Sequence, residues 1–225
     1  MTDCSVAVKI CGLTSPEQAK AVGALGAQAI GVIGVDASPR FVAEAQRRQL
    51  FSDLEMEHPD VERVWVVADL RDDQLEAALA GTGCPSVVQL HGDESPQRCR
   101  DLRQRFPQTR WWKALRVKTP NDLDTLQGYD GSVDALLLDA WSADQLGGTG
   151  HRLDLSWLQA LEQQLPRAMP WWLAGGVSAE WVPELLAEVK PFGLDASSRL
   201  EVAPGVKDLA KVKELIDAVA YSRHR

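Results

Sequence analysis

Eight times along this chain a short apolar, β-branched run is followed by a turn and then by an amphipathic segment rich in Glu, Gln, Arg and Ala. Runs of that composition read as strands and the longer segments as helices, so the repeat predicts alternating strand and helix. The strand candidates are 6–11, 29–35, 61–68, 86–91, 110–117, 133–139, 170–174 and 192–196. Helical patterns follow at 15–25, 41–55, 72–81, 95–105, 119–127, 155–164, 179–188 and 207–221. Strands covered on both faces lose their polar alternation, as Ala135-Leu136-Leu137-Leu138 does, which is the mark of a parallel sheet. Eight such units in 225 residues predict an α/β fold of one kind, a single-domain (β/α)8 TIM barrel spanning residues 1–225, with an open doubly wound sheet as the alternative. No stretch rich in Pro, Gly or Ser divides the chain.

In a barrel the chemistry sits on the loops that follow the strands, so the residues at strand ends carry the argument. Strand one ends in Lys9-Ile10-Cys11-Gly12, and period-two alternation places Lys9 and Cys11 on one face. A neighbouring ammonium favours thiolate, so the expectation is that Lys9 lowers the Cys11 pKa. Strand two is followed by Ser38-Pro39-Arg40, where a proline-stiffened turn would present Arg40 to a carboxylate. Strand three ends at Asp69, read as the N-cap of the next helix. Strand four ends at His91, a candidate ligand-positioning donor, and strand six at Asp139, either a helix cap or a general acid whose carboxyl is tuned by partial burial.

The glycine-rich segment Gly147-Gly148-Thr149-Gly150 has the freedom to close over a ligand. Leu173-Ala174-Gly175-Gly176 follows strand seven and Asp195-Ala196-Ser197-Ser198 follows strand eight. Loops in those two places, with a short helix start, form a recurring barrel phosphate site. The tryptophan pairs Trp111-Trp112 and Trp171-Trp172 lie inside strands, so each sends one ring to either face and packs the core.

Composition removes several function classes. The formal net charge is -8 and the pI about 5.0, against a nucleic-acid partner, whose phosphates demand clustered Lys and Arg. No apolar run reaches the length of a membrane span, and no signal-like N-terminal pattern is present, so a cytoplasmic protein is expected. Cys4, Cys11, Cys84 and Cys99 form no C-x-x-C pair, and His58, His151 and His224 do not fall at strand ends, so neither a disulfide framework nor a metal site is expected.

Taken in order, K-I-C-G-L-T, S-P-R, V-Q-L-H-G-D-E, L-L-L-D, G-G-T-G, L-A-G-G-V, L-D-A-S-S and A-P-G-V-K-D closely resemble the phosphoribosylanthranilate isomerase family of tryptophan biosynthesis over nearly the whole chain. The resemblance implies a cofactor-independent barrel that converts N-(5-phosphoribosyl)anthranilate to 1-(2-carboxyphenylamino)-1-deoxyribulose 5-phosphate by an Amadori rearrangement. It implies that Asp139 is the general acid and Cys11 the general base. Arg40 matches the arginine facing the anthranilate carboxylate, while Gly175, Gly176, Ser197 and Ser198 match the phosphate grip. Lys9, His91, Gly148 and Asp195 complete the expected substrate-binding set. Two positions depart from the family's pattern: Val32-Ile33-Gly34-Val35 and Val66-Val67-Ala68 stand where aromatic residues are common, and Arg199 where glycine usually follows the serines. A barrel acting on another phosphosugar, or a noncatalytic phosphate-binding barrel, are the competing readings, and a monomer or a homodimer fits equally.

Overall fold

The computed structural model describes residues 6–117, 126–140, 155–165 and 169–222. Its strands are β1 (Ala7–Cys11), β2 (Ala29–Ile33), β3 (Glu62–Val67), β4 (Val87–Leu90), β5 (Arg110–Val117), β6 (Ala135–Ala140), β7 (Trp171–Ala174) and β8 (Gly193–Ala196). They pair in sequence order, all parallel, and β1 pairs with β8 to close the barrel. The helices are α1 (Pro16–Ala24), α2 (Glu44–Glu57), α3 (Asp72–Leu79), α4 (Pro96–Arg105), α5 (Leu155–Gln164), α6 (Val182–Glu188) and α7 (Leu209–Tyr221). The predicted helix over 119–127 falls outside the described residues except for 126 and 127, which belong to a 3-10 turn over 126–129.

Local chemistry accounts for several boundaries. Ser15 and Ser95 each accept a hydrogen bond from the amide three residues on, and each is followed by proline, whose missing N–H has no intrahelical partner to lose at that position. Asp208 caps α7 by accepting from the amides of Ala210 and Lys211. Asp69 corrects the sequence reading. It does not cap α3, which starts after Arg71. Held at φ 50°, its carboxylate accepts from the Asp93 amide and its own amide donates to Glu94, so it ties the end of β3 to the loop after β4.

Two layers of core follow from strand alternation. The outer faces carry Val8, Ile10, Trp111, Leu136, Leu138 and Trp171 to the helices, and the inner faces gather Val64, Val87, Trp112, Ala135, Leu137 and Trp172 inside the barrel. The tryptophan pairs split as alternation predicts. Trp112 and Trp172 meet in the barrel with centroids 4.8 Å apart and planes at 30°, filling its floor. Gly193, paired with Trp172 in register, makes room for that ring: a Cβ there would lie 2.3 Å from Cζ3. Gly193→Ala is therefore expected to destabilise the barrel by about 1–3 kcal/mol through overpacking, read as a lower urea midpoint at unchanged slope.

One element was not legible beforehand. After β8 a 3-10 turn (Ser198–Leu200) leads into an antiparallel hairpin of β9 (Glu201–Ala203) and β10 (Val206–Lys207), turned at Gly205 with φ 80°. Strands of three and two residues carry too few positions for a periodicity to register. The Gln18 side chain bonds both the amide and the carbonyl of Lys207, and Thr14 donates to the Gly205 carbonyl, so the hairpin is clamped to α1 and the loop before it.

Candidate active site

Parallel register builds the site by aligning inward positions of neighbouring strands. Lys9 lies opposite Asp195, Cys11 opposite Gly31, and Arg116 opposite Asp139. At the C-terminal ends of the strands Cys11, Arg116, Asp139 and Asp195 open into one cavity. Its wall toward β1 and β8 is Cys11, Asp195, Ser197 and Ser198, and its wall toward β4 to β6 is Gln89, His91, Arg116 and Asp139. Gly175, Gly176 and Arg199 border one end of the cavity; Ile33, Val35, Val66, Ala68 and Leu137 make an aliphatic surface, and Arg40 and Ser38 reach in from the loop after β2.

Nine of the residues singled out from sequence thus line one pocket: Cys11, Arg40, His91, Asp139, Gly175, Gly176, Asp195, Ser197 and Ser198. Lys9 does not. It is fully buried beneath the pocket, its Nζ 2.8 Å from Asp195 Oδ2. Gly148 and the rest of its glycine-rich segment lie outside the described residues. Gly175 and Gly176 take φ 92° and 65°, values that side-chain-bearing residues rarely adopt, which leaves bare backbone against the pocket.

Charges in the pocket are arranged in pairs. Asp139, 7 % exposed, lies 3.4 Å from His91 Nε2. The His91 carbonyl in turn accepts from Arg116 Nη2 at 2.9 Å. Beneath them, burial pushes the Asp195 carboxyl up despite Lys9 beside it. Lys9 pulls the Cys11 pKa down, as expected, but the net shift is upward. Burial pushes the thiol up, and the opposing pull of the Lys9 ammonium is insufficient, because that charge is bound directly to Asp195, which itself raises the thiol. Arg40 also departs from the simple sequence picture: its Nε and Nη2 are held by Glu201 at 2.8 and 2.7 Å, so its side edge is occupied by a carboxylate of the chain.

Gln89 and Arg116 were missed. Gln89 is 1 % exposed, and among the described residues its buried Oε1 has no hydrogen-bond partner. Its signal was present: a lone polar residue in Val87-Val88-Gln89-Leu90, two positions before His91 and so on the same face. Arg116 lies one residue inside the end of a strand followed in sequence by Thr119-Pro120-Asn121-Asp122, and alternation puts it on the face of Trp112 and Ala114.

A closed parallel barrel whose strand ends gather a thiol, a carboxyl beside a histidine, and glycine and serine loops around an aliphatic wall defines the class of (β/α)8 enzymes that act on small anionic molecules. The particular lineage follows from comparison. Residues 8–218 match the family described as N-(5'-phosphoribosyl)anthranilate (PRA) isomerase. The chain is 44% identical over 213 residues to the N-(5'-phosphoribosyl)anthranilate isomerase of Synechococcus elongatus, covering 95% of each protein. It superposes on the Thermotoga maritima phosphoribosyl anthranilate isomerase with a TM-score of 0.84 at 28% identity, over 96% of this chain and 99% of that one. A phosphoribosyl anthranilate isomerase solved in complex with reduced 1-(o-carboxyphenylamino)-1-deoxyribulose 5-phosphate matches with a TM-score of 0.81, 28% identity and the same coverage. This chain belongs to the N-(5'-phosphoribosyl)anthranilate isomerase family.

Proposed function

We propose that the chain, as one catalytic domain over residues 1–225, isomerises N-(5-phosphoribosyl)anthranilate to 1-(2-carboxyphenylamino)-1-deoxyribulose 5-phosphate in tryptophan biosynthesis, by proton transfer between its own side chains and the substrate. The observation that carries this reading is that Cys11 and Asp139 line one cavity together with the glycine and serine loops and with aliphatic side chains. The phosphate is held where Gly175, Gly176, Ser197 and Ser198 converge, and the anthranilate ring packs on Ile33, Val35, Val66 and Ala68. Branched aliphatic side chains bury an aromatic face as well as an aromatic neighbour would, without the ring–ring term of about 0.5–1.5 kcal/mol. Arg40 faces the anthranilate carboxylate.

Asp139, protonated, gives its proton to the ribose ring oxygen; the C1–O bond breaks and the anilino nitrogen lone pair forms the Schiff base. Cys11, as thiolate, then removes the proton from C2. The resulting enolamine tautomerises to the ketone, so the substrate's atoms are all retained and no redox cofactor is required by the balance of the reaction. His91 Nε2 stands 3.4 Å from Asp139 Oδ2 and positions that carboxyl. A base that works as thiolate needs a reducing compartment, in keeping with a cytoplasmic enzyme.

The reading is tested by the loss of substrate fluorescence on adding the purified protein, followed across pH. Because burial raises the Cys11 pKa above its usual ~8.5, kcat/KM is expected to climb on the alkaline side beyond that value, and the limb to vanish in Cys11→Ala. The same shift sets a stability trend. Between the unfolded and folded pKa values the unfolded chain loses the thiol proton and the native state keeps it, so native stability falls as pH rises through that window, and Cys11→Ala removes that component. Binding without turnover by the wild type would instead favour the noncatalytic barrel.

A further inference from the structure

The hairpin β9–β10 lies beside the pocket, and its one inward carboxylate, Glu201, contacts the pocket's arginine. Glu201 is almost fully buried, 5% exposed at the side chain, and it neutralises two cations at once. Arg40 approaches through Nε and Nη2, and Lys207 Nζ lies 2.6 Å from Oε1. Burial alone would raise the Glu201 carboxyl, but the hydrogen bonds from Arg40 and Lys207 overcome it and hold the group ionised below its ordinary range. The contacts continue past the pair. Lys207 Nζ reaches the carbonyl and hydroxyl of Ser197 at 3.3 and 3.4 Å, and the Ser197 hydroxyl donates to the Cys11 carbonyl at 3.0 Å.

The geometry of a guanidinium gives this arrangement a consequence. Its five N–H groups form a side edge, Nε with Nη2, and an end fork, Nη1 with Nη2. Glu201 occupies the side edge. Among the described residues Nη1 has no hydrogen bond, and Arg40 lines the pocket, so the end fork is what remains for a ligand carboxylate. The stem is fixed as well, since it lies over Gly12, where a Cβ would fall 2.6 Å from Arg40 Cδ. We infer that Glu201 is a positioning residue that selects for carboxylated substrate, by holding Arg40 with its end fork toward the anthranilate carboxylate while the Lys207–Ser197 contacts keep that fork in register with the phosphate loop. This rests on the reading above in which Arg40 meets the carboxylate.

The test compares two substrates, N-(5-phosphoribosyl)anthranilate and its carboxylate-free counterpart N-(5-phosphoribosyl)aniline, with wild type, Glu201→Gln, Glu201→Asp and Arg40→Met. Losing a charge-assisted hydrogen-bond partner predicts a roughly 10- to 100-fold rise in KM for the carboxylated substrate in Glu201→Gln, with kcat within a few-fold and little change toward the aniline substrate. Glu201→Asp keeps the charge but is one methylene too short to grip both cations in the same place; it carries the same selective KM rise and serves if the glutamine variant folds poorly. An equal loss toward both substrates, or no KM change in either folded variant, overturns the inference. Should Arg40→Met itself fail to distinguish the two substrates, the assignment of Arg40 to the carboxylate is the part that fails. If Arg40→Met distinguishes them and the Glu201 variants do not, the positioning role alone is wrong.

Discussion

Cys11→Ala and Asp139→Asn are each expected to lower kcat on the order of 10^3-fold while leaving the fold intact, measured by substrate fluorescence at saturating concentration. The two losses should not multiply in the double variant. Ring opening and C2 deprotonation are successive steps of one reaction, and once either is blocked the other residue has nothing left to accelerate. Both side chains line the cavity, Cys11 opposite Gly31 and Asp139 opposite Arg116, so neither replacement disturbs a ladder pairing. Cys11→Ala creates no closed void because Cys11 already lines the open cavity. Near-normal turnover in one variant would remove that residue from the chemistry without disturbing the assignment of the family.

Lys9→Met is expected to cost about 3–5 kcal/mol at neutral pH, because it leaves the Asp195 carboxylate buried with no compensating ammonium. The loss should shrink in acid. An acid whose folded pKa stands above its unfolded value binds more protons when folded, so the variant gains stability as pH falls and Asp195 takes up its proton. Lys9→Met with Asp195→Leu, which removes both charges, is expected to recover much of the stability but not the activity, since Asp195 borders the pocket. Urea unfolding at two pH values separates these outcomes. A Lys9→Met protein as stable as the double variant at neutral pH would show that the pair is not charged in the native state.

Alternation accounts for much of what was legible in the strands. It sent Lys9 and Cys11 to one face and split both tryptophan pairs between barrel and helices, and the structure has each of those placements. It works because a strand's side-chain period is set by the backbone and does not depend on what the strand packs against. The lining residues Gln89 and Arg116 were equally subject to that rule. Gln89 shares its face with His91, two positions on, whereas Arg116 shares its face with Trp112 and Ala114, which are shown to be inward only once the barrel has closed.

By itself the sequence determined the alternation of strand and helix, a parallel sheet with a barrel favoured over an open one, and the cluster of candidate residues at strand ends, since these follow from periodicity and turn chemistry acting over a few residues. Only the tertiary structure decided the electrostatics. Lys9 was read as an activator of Cys11, yet its charge is bound to Asp195, 186 positions away in sequence and adjacent in the closed sheet. Arg40 was read as a donor to a ligand carboxylate, yet its side edge belongs to Glu201, which a hairpin too short to show a pattern brings across from the far end of the chain. Charge–charge energies vary with distance and burial, and both are fixed by barrel closure, which brings the first strand against the last.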